Sequence, residues 1–279
     1  MAIPTATRSE RWKVVFRSTT FWVGFAIVLM WIVFAIFGDF ITPYDPLDSD
    51  VINRLKPPSA EHWFGTDDLG RDVLSRVLAG ARQVLTVALA ATVLGTILGT
   101  VVGLIIGYFG GIVDESISRI LDAFLSIPLV ITGMLALAAL GPNTIGVVVV
   151  IGLVFTPIIA KTVRAAVLSE RQLDYVTAAQ LRKENWFYIL FVEILPNVSS
   201  VVIVEFTVRL GYAIFTVLAL SFLGFGVEPQ VPDWGVAIYQ HYGFLTGNVW
   251  WPVLFPALAI ASLVVGVNLM ADAISQAFE

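Results

Sequence analysis

Glu205 and Arg209 stand four residues apart inside an apolar run from Val198 to Leu223. That spacing puts both on one helical face, with the glutamate on the N-terminal side, the order that favours an ion pair. Tyr212 and Thr216 continue the face at offsets of seven and eleven from Glu205. An unpaired charge near mid-membrane costs about 2.5–3.5 kcal/mol on the insertion scale, so these residues need a reason to be there. Such a stripe either lines a pathway for a polar solute or forms an ion pair packed against a neighbouring helix. The spacing alone leaves both readings open.

Other chemistries are poorly supplied. The chain has no cysteine and two histidines, His62 and His241, far apart in sequence. Disulfides, thiolate metal sites and a cysteine nucleophile are excluded, and a histidine-based metal cage or triad is not expected. Both histidines read as polar loop residues. No Gly-x-Ser-x-Gly occurs, and no Gly-x-x-x-x-Gly-Lys-[Ser/Thr] phosphate loop; there is not even a Gly-Lys pair. Nothing here hydrolyses ATP by that route, and no catalytic, cofactor or metal residue is assigned. The net charge of −5 argues against nucleic-acid binding.

The elements that carry these residues are set by composition. Of 279 residues, 58% are hydrophobic before the 22 glycines are counted, and 13% are charged. Soluble domains hold roughly 45–50% apolar residues with glycine included, and about 25% charged. The mean hydropathy is +0.87. A water-soluble globule of this size cannot bury so much apolar surface, which leaves an all-α, polytopic membrane protein. Apolar runs long enough to cross about 30 Å of hydrocarbon fall at Thr20–Thr42, Val84–Phe109, Ile117–Leu140, Thr144–Thr162, Val198–Leu223 and Trp251–Phe278. Six spans put both termini on one side. The first span reads as an uncleaved signal anchor. Pro128 and Pro157 read as bends within spans three and four, and Trp234, Trp250 and Trp251 as interfacial anchors.

Orientation follows from Lys and Arg. With the N-terminus inside, the inner side holds Arg8, Arg11, Lys13, Arg17, Arg119, Lys161, Arg164, Arg171, Arg182 and Lys183. The outer side holds Arg54, Lys56, Arg71, Arg76 and Arg82. The bias predicts N-in and C-in. The expected organisation is a cytoplasmic segment 1–19, a first helix 20–42, an outer segment 43–83 and a five-helix core 84–279 with an inner loop 163–196. Within the outer segment, Leu69, Val73 and Val77 share a face of Asp68–Ala81, which predicts an amphipathic helix lying along the outer surface. Asp114, Glu115 and Asp122 read as solvated interfacial acids.

In the inner loop, Ser169–Asp174 interrupts the helix leaving span four. Asp174 is a good N-cap for a short helix through about Arg182, expected to expose Tyr175, Ala178, Ala179 and Arg182. A second amphipathic stretch, Trp186–Leu195, leads to Pro196 and back into the membrane.

Short helices in an inner loop, ending in Leu-Pro before the next span, resemble the permease subunits of type I ATP-binding-cassette importers. The residues concerned are Asp174-Tyr175-Val176-Thr177-Ala178-Ala179 and Ile194-Leu195-Pro196-Asn197. Two positions depart from the family pattern: Thr177 stands where Glu is usual and Lys183 where Gly is usual. Without a glycine to end the helix at positive φ, the helix is expected to run on, with Lys183 meeting an acidic patch on a partner. The outer segment is closer still. His62-Trp63-Phe64-Gly65-Thr66-Asp67-Asp68-Leu69-Gly70-Arg71-Asp72, then Gly80-Ala81-Arg82, is similar to the "C" permease of dipeptide, oligopeptide and nickel importers. So are Ser221-Phe222-Leu223-Gly224-Phe225-Gly226-Val227, Pro232-Asp233-Trp234-Gly235, Phe255-Pro256 and Asn268-Leu269-Met270-Ala271-Asp272.

This resemblance implies a multi-pass protein of the bacterial cell membrane that forms a pathway with a second permease. It implies two cytosolic ATPase subunits, or one fused, which bind ATP and Mg, and an outer binding protein that delivers cargo. It also implies that Asp174, Tyr175, Val176, Thr177, Ala178, Ala179, Arg182 and Lys183 contact an ATPase, while Glu205, Arg209, Tyr212 and Thr216 face the pathway. Peptide is the expected cargo; a nickel complex, haem or another small solute would travel through the same architecture. The competing class is an ion-gradient-driven secondary transporter, which also carries charges in its spans.

Overall fold

The computed structural model describes residues 8–141, 143–225 and 231–278. Gly226 and Val227 of the motif above, and the side chains of Arg8 and Arg11, lie outside the described residues. Among the described residues the regular elements are helices: α1 (Arg8–Arg17), α2 (Thr19–Ile41), α3 (Val73–Phe109), α4 (Gly111–Leu125), α5 (Leu129–Leu140), α6 (Thr144–Glu170), α7 (Asp174–Leu181), α8 (Trp186–Tyr188), a π-helical turn Ile189–Ile194, α9 (Leu195–Phe222), α10 (Trp234–His241) and α11 (Trp251–Phe278).

The centre of the fold is a seam between α3 and α6. Gly95, Gly99, Gly103 and Gly107 recur every fourth residue on α3. A Cβ at any of the four would lie 2.7–2.9 Å from Gly152, Ile159, Val163, Ala160 or Val167 of α6. Helices in lipid gain little from hydrophobic exclusion, so close backbone approach through small residues supplies the packing instead. The numbering rises together along both helices, so α3 and α6 run parallel. The chain between them must therefore recross the membrane. The hydrogen bond from Gln83 to Thr144 (3.4 Å) ties the start of α6 to the early part of α3. Arg171, after α6, donates to the carbonyls of Gly107 and Tyr108 at the end of α3.

The return crossing differs from the straight third span expected over Ile117–Leu140. It is two helices, α4 and α5, bent by 86° at Ser126–Pro128. Pro128 caps α5 and cannot donate the backbone hydrogen bond that would continue α4. Asp114, Asp122 and Glu115 are not simply solvated acids. Asp114 takes a two-pronged contact from Arg164 of α6 (2.5 and 2.6 Å), and Asp122 pairs with Lys161. Both contacts pin α4 obliquely across α6. Glu115 pairs with Arg119 on an exposed surface.

The amphipathic outer helix is also corrected. Asp68–Arg71 form a turn, and Asp72 caps a helix that starts at Val73 and continues without a break into the membrane. At 1.5 Å per residue these 37 residues run about 55 Å. α6 likewise passes through Pro157 without a break. α2 packs antiparallel to α11, where Gly24 meets the Gly266 carbonyl and the Trp31 indole donates to Ser262 (2.9 Å).

Candidate functional site

α7 is a short helix at the end of the bundle where α6 ends and α9 begins, with most of its residues exposed. It packs on the π-helical turn before α9, with Val176 and Ala179 fully buried among Ile189, Leu190 and Ile194. Thr177, Ala178 and Leu181 face outward, Leu181 at 80% exposure. Three expectations change here. Asp174 is the first helical residue rather than the N-cap; Leu173 holds that place and makes no side-chain cap. Ala179 points into the chain's own core, so it is not part of an outward small-residue face. Tyr175 is half-buried and donates to the Glu170 carboxylate (2.7 Å). Its burial and that carboxylate hold the phenol proton well above the ordinary tyrosine range.

The helix also stops where a glycine would stop it. Arg182 is the C-cap, Lys183 takes φ +58°, and the amides of Lys183 and Glu184 donate to the carbonyls of Gln180 and Ala179. That is a Schellman ending with lysine in the left-handed position. The packing of α7 and the turn to α8 impose it against the local preference of the residue. Arg182 bonds Glu193 (3.0 Å), which ties α7 to the segment entering the membrane.

The stripe on α9 is partly assembled. Arg209 Nε donates to Glu205 (2.9 Å), with the two side chains 17% and 13% exposed. The guanidinium also lies over the Tyr212 ring, 5.3 Å from its centre. Thr216 departs from the stripe: it is buried, and its hydroxyl donates to the Tyr212 carbonyl one turn back. Glu205 borders a small cleft of about 170 Å³ with Thr162, Ser200 and Phe278. Tyr212 borders a larger one, about 470 Å³, between α9 and α11, with Val208, Gly211, Phe215, Asn268 and Asp272 among its walls.

Residues 99–279 match the family described as binding-protein-dependent transport system inner membrane component. Residues 8–58 match the N-terminal TM domain of oligopeptide transport permease C. The chain belongs to the permease family of binding-protein-dependent ABC importers. Among curated relatives of this permease, it is 37% identical to a dipeptide transport system permease protein of Alkalihalophilus pseudofirmus, over 92% of this chain and 84% of that one. It is 35% identical to a di/tripeptide transport system permease protein of Pseudomonas aeruginosa, over 92% and 86%. With a probable D,D-dipeptide transport system permease protein of Escherichia coli the figures are 34%, 89% and 83%. The permease is thus a multi-pass inner-membrane component of a transport system.

At the end opposite α7 the permease carries a buried polar clasp that the spacing of residues did not reveal. The motif loop folds over the start of α3. Asp67 accepts from the Leu69 and Arg71 amides and from Arg71 Nε (2.7 Å), and Arg76 lies 3.7 Å away. His62 meets the Asp72 carboxylate (2.9 Å). His241, 1% exposed on α10, faces Asp68 through Nε2 (2.8 Å) and the Ala237 carbonyl through Nδ1 (2.6 Å). Each ring nitrogen thus faces an oxygen, one from the carboxylate and one from the backbone. Neither histidine is a plain loop residue. Asp67, Asp68 and His241 bring ligand-type atoms within 4.8 Å of one another. The guanidinium groups of Arg71 and Arg76 bring positive charge to these carboxylates and make the cluster part of a salt-bridge network.

Tryptophans close the clasp. The Trp234 indole donates to the Val77 carbonyl and Trp251 to Thr66 (2.9 Å each). Trp234 and Trp251 are buried, unlike the interfacial anchors expected; Trp250 is 40% exposed. Asp233 caps α10 through the Val236 amide and accepts from Ser221. Its burial pushes that carboxyl above the ordinary carboxylate range, against the opposing pull of its hydrogen bonds and of Arg76.

Proposed function

We propose that this permease pairs with a second, homologous permease to form the membrane pathway of a peptide importer. Cytosolic ATPase subunits, which bind ATP and Mg, drive it, and an outer binding protein loads it. The chain itself supplies no cofactor site and no hydrolytic step. The observation that carries the coupling role is α7: a short helix braced by Val176 and Ala179 on one side and bare at Thr177, Ala178 and Leu181 on the other. Motion of a docked ATPase is passed through the Arg182–Glu193 contact and the π-helical turn into α9, which carries Glu205, Arg209 and Tyr212. Peptide as cargo is supported by the dipeptide and di/tripeptide permeases among its relatives. The N-in, C-in orientation is supported by the Lys and Arg bias.

Reconstitution of the four components in proteoliposomes tests this reading. ATP inside the ATPase compartment should drive peptide uptake with no ion gradient imposed. Uptake that follows a proton or sodium gradient and ignores ATP would place the protein among secondary transporters. Orientation is checked in intact cells with the chain's natural lack of cysteine as background. An impermeant thiol reagent should label Ser59→Cys and spare Gln180→Cys, both exposed positions. The opposite pattern overturns the topology.

A further inference from the structure

Asp272 sits on α11 in the inner half of the spans, exposed, with no hydrogen bond or ion pair among the described residues. A carboxylate on a membrane-spanning helix does not face lipid without a partner. Its surroundings say what that partner is. Asn268 lies one turn earlier on the same face. Its Oδ1 stands only 2.6 Å from where a Cβ would project at Gly211. Glycine at 211 leaves room for that amide beside α9, so an acceptor borders the cleft between α9 and α11. Tyr212, 56% exposed, presents its ring to the same cleft, and the ring already attracts one cation, Arg209. A carboxylate, an amide oxygen and an aromatic face all favour positive charge, and an ammonium group can use all three. Val208 and Phe215 give the rest of the cleft apolar walls that suit side chains of varied shape.

Resting on the reading of the protein as a peptide importer, we propose that this cleft binds the α-ammonium group of a peptide in transit. Asp272 is its counter-ion, with Asn268 and Tyr212 as further partners. At neutral pH a peptide amino terminus, with a pKa of roughly 7.7–8.0, is largely protonated and carries the required charge. The site discriminates against peptides whose amino terminus is blocked, inside the membrane and independently of the binding protein.

The test uses the permease pair with its ATPases in nanodiscs, without the binding protein, so that outer selection plays no part. The probes are a dipeptide with a diazirine side chain and its N-acetylated form. Photolabel from the free dipeptide should map to residues 208–215 and 264–272, and acetylation should cut its yield about tenfold, the scale of one charge-assisted hydrogen bond. Asp272→Asn should reduce labelling by the free dipeptide to the acetylated level, and Asp272→Glu should restore it. Equal labelling by the two probes, or labelling unaffected by Asp272→Asn, overturns the site. Loss of the second permease on purification of Asp272→Asn also overturns it, because the carboxylate would then be pairing with that subunit. ATP-driven peptide uptake by the unmodified four-component importer separates the two claims: uptake without cleft labelling removes only the ammonium site.

Discussion

The end of this permease that carries the polar clasp and the end that carries α7 are built on opposite principles. At the clasp end, a group of charges is largely withdrawn from solvent and paired: Asp67 with Arg71, His241 with Asp68, His62 with Asp72. Two indoles clamp loop and helix backbone across more than 150 residues of sequence. Around α7, charges are more exposed and paired in passing, as Arg182 is with Glu193 and Glu184. α7 touches the rest of the chain through one narrow face and ends in a conformation that its lysine does not favour. A clasp of buried ions makes a part that moves as one body, since breaking any member strands a charge. A lightly held helix makes a part that a partner can grip and displace.

The sharpest way to break this contrast is to strip charge from each end. Asp67→Ala would leave Arg71 and Arg76 buried without their anion, and removing one member of such a network costs about 3–5 kcal/mol. Thermal unfolding of the purified protein should show a large loss. Arg182→Ala, with its guanidinium half in solvent, should cost no more than ~1 kcal/mol. Comparable losses at the two sites would mean that the clasp is not what holds its end of the molecule together.

Adjacent alanines sharpen the inner half of the contrast. Ala179→Trp must force a large ring into a fully buried site and should destabilise by at least about 1–3 kcal/mol. Ala178→Trp, on the exposed face, should leave unfolding unchanged yet abolish ATP-driven uptake by holding a docked partner away. If Ala178→Trp transports normally, the exposed face of α7 is not the contact.

Lys183→Gly should act in the favourable direction. It removes the left-handed penalty, worth about 1 kcal/mol, and should raise the unfolding temperature slightly while keeping the Schellman ending. A destabilised Lys183→Gly variant would show that the lysine side chain makes a compensating contact.

The gentlest effect is the pH dependence of the outer cap. The Asp233 carboxyl is raised in the folded state, so the folded chain holds that proton more tightly than the unfolded one. Its contribution to stability is therefore largest at acidic pH and declines as pH rises through the carboxylate range. Asp233→Asn keeps an acceptor for the Val236 amide and should remove this slope. An unchanged profile would assign the slope to another group.

Much of this was legible in the linear chain because it depends on local chemistry. Runs of apolar residues as long as the bilayer is thick must become spans in any context, so the runs for α2, α9 and α11 match their helices within a few residues, and that for α6 matches its start. The i,i+4 spacing of Glu205 and Arg209 is a property of the helix itself, and the pair formed. Even the seam was written plainly, in four glycines at intervals of four between Gly95 and Gly107, a signal that could have been read as a helix–helix contact and was not. Other features were decided only when distant elements met. Thr216 left the stripe because a helical face is divided by what packs against it, and periodicity does not say which neighbour arrives. Ala178 and Ala179 have the same propensity; only the docking of α7 on the turn before α9 buried one and bared the other. Lys183 became left-handed because that docking ended the helix there at a cost its own preference opposed. Arg71, Arg76 and His241 look like surface residues in sequence, since burying an ion is unfavourable until its counter-ion arrives from another segment. His241 meets its counter-ion, Asp68 of the motif loop, across 173 residues, and no local rule carries information over that distance.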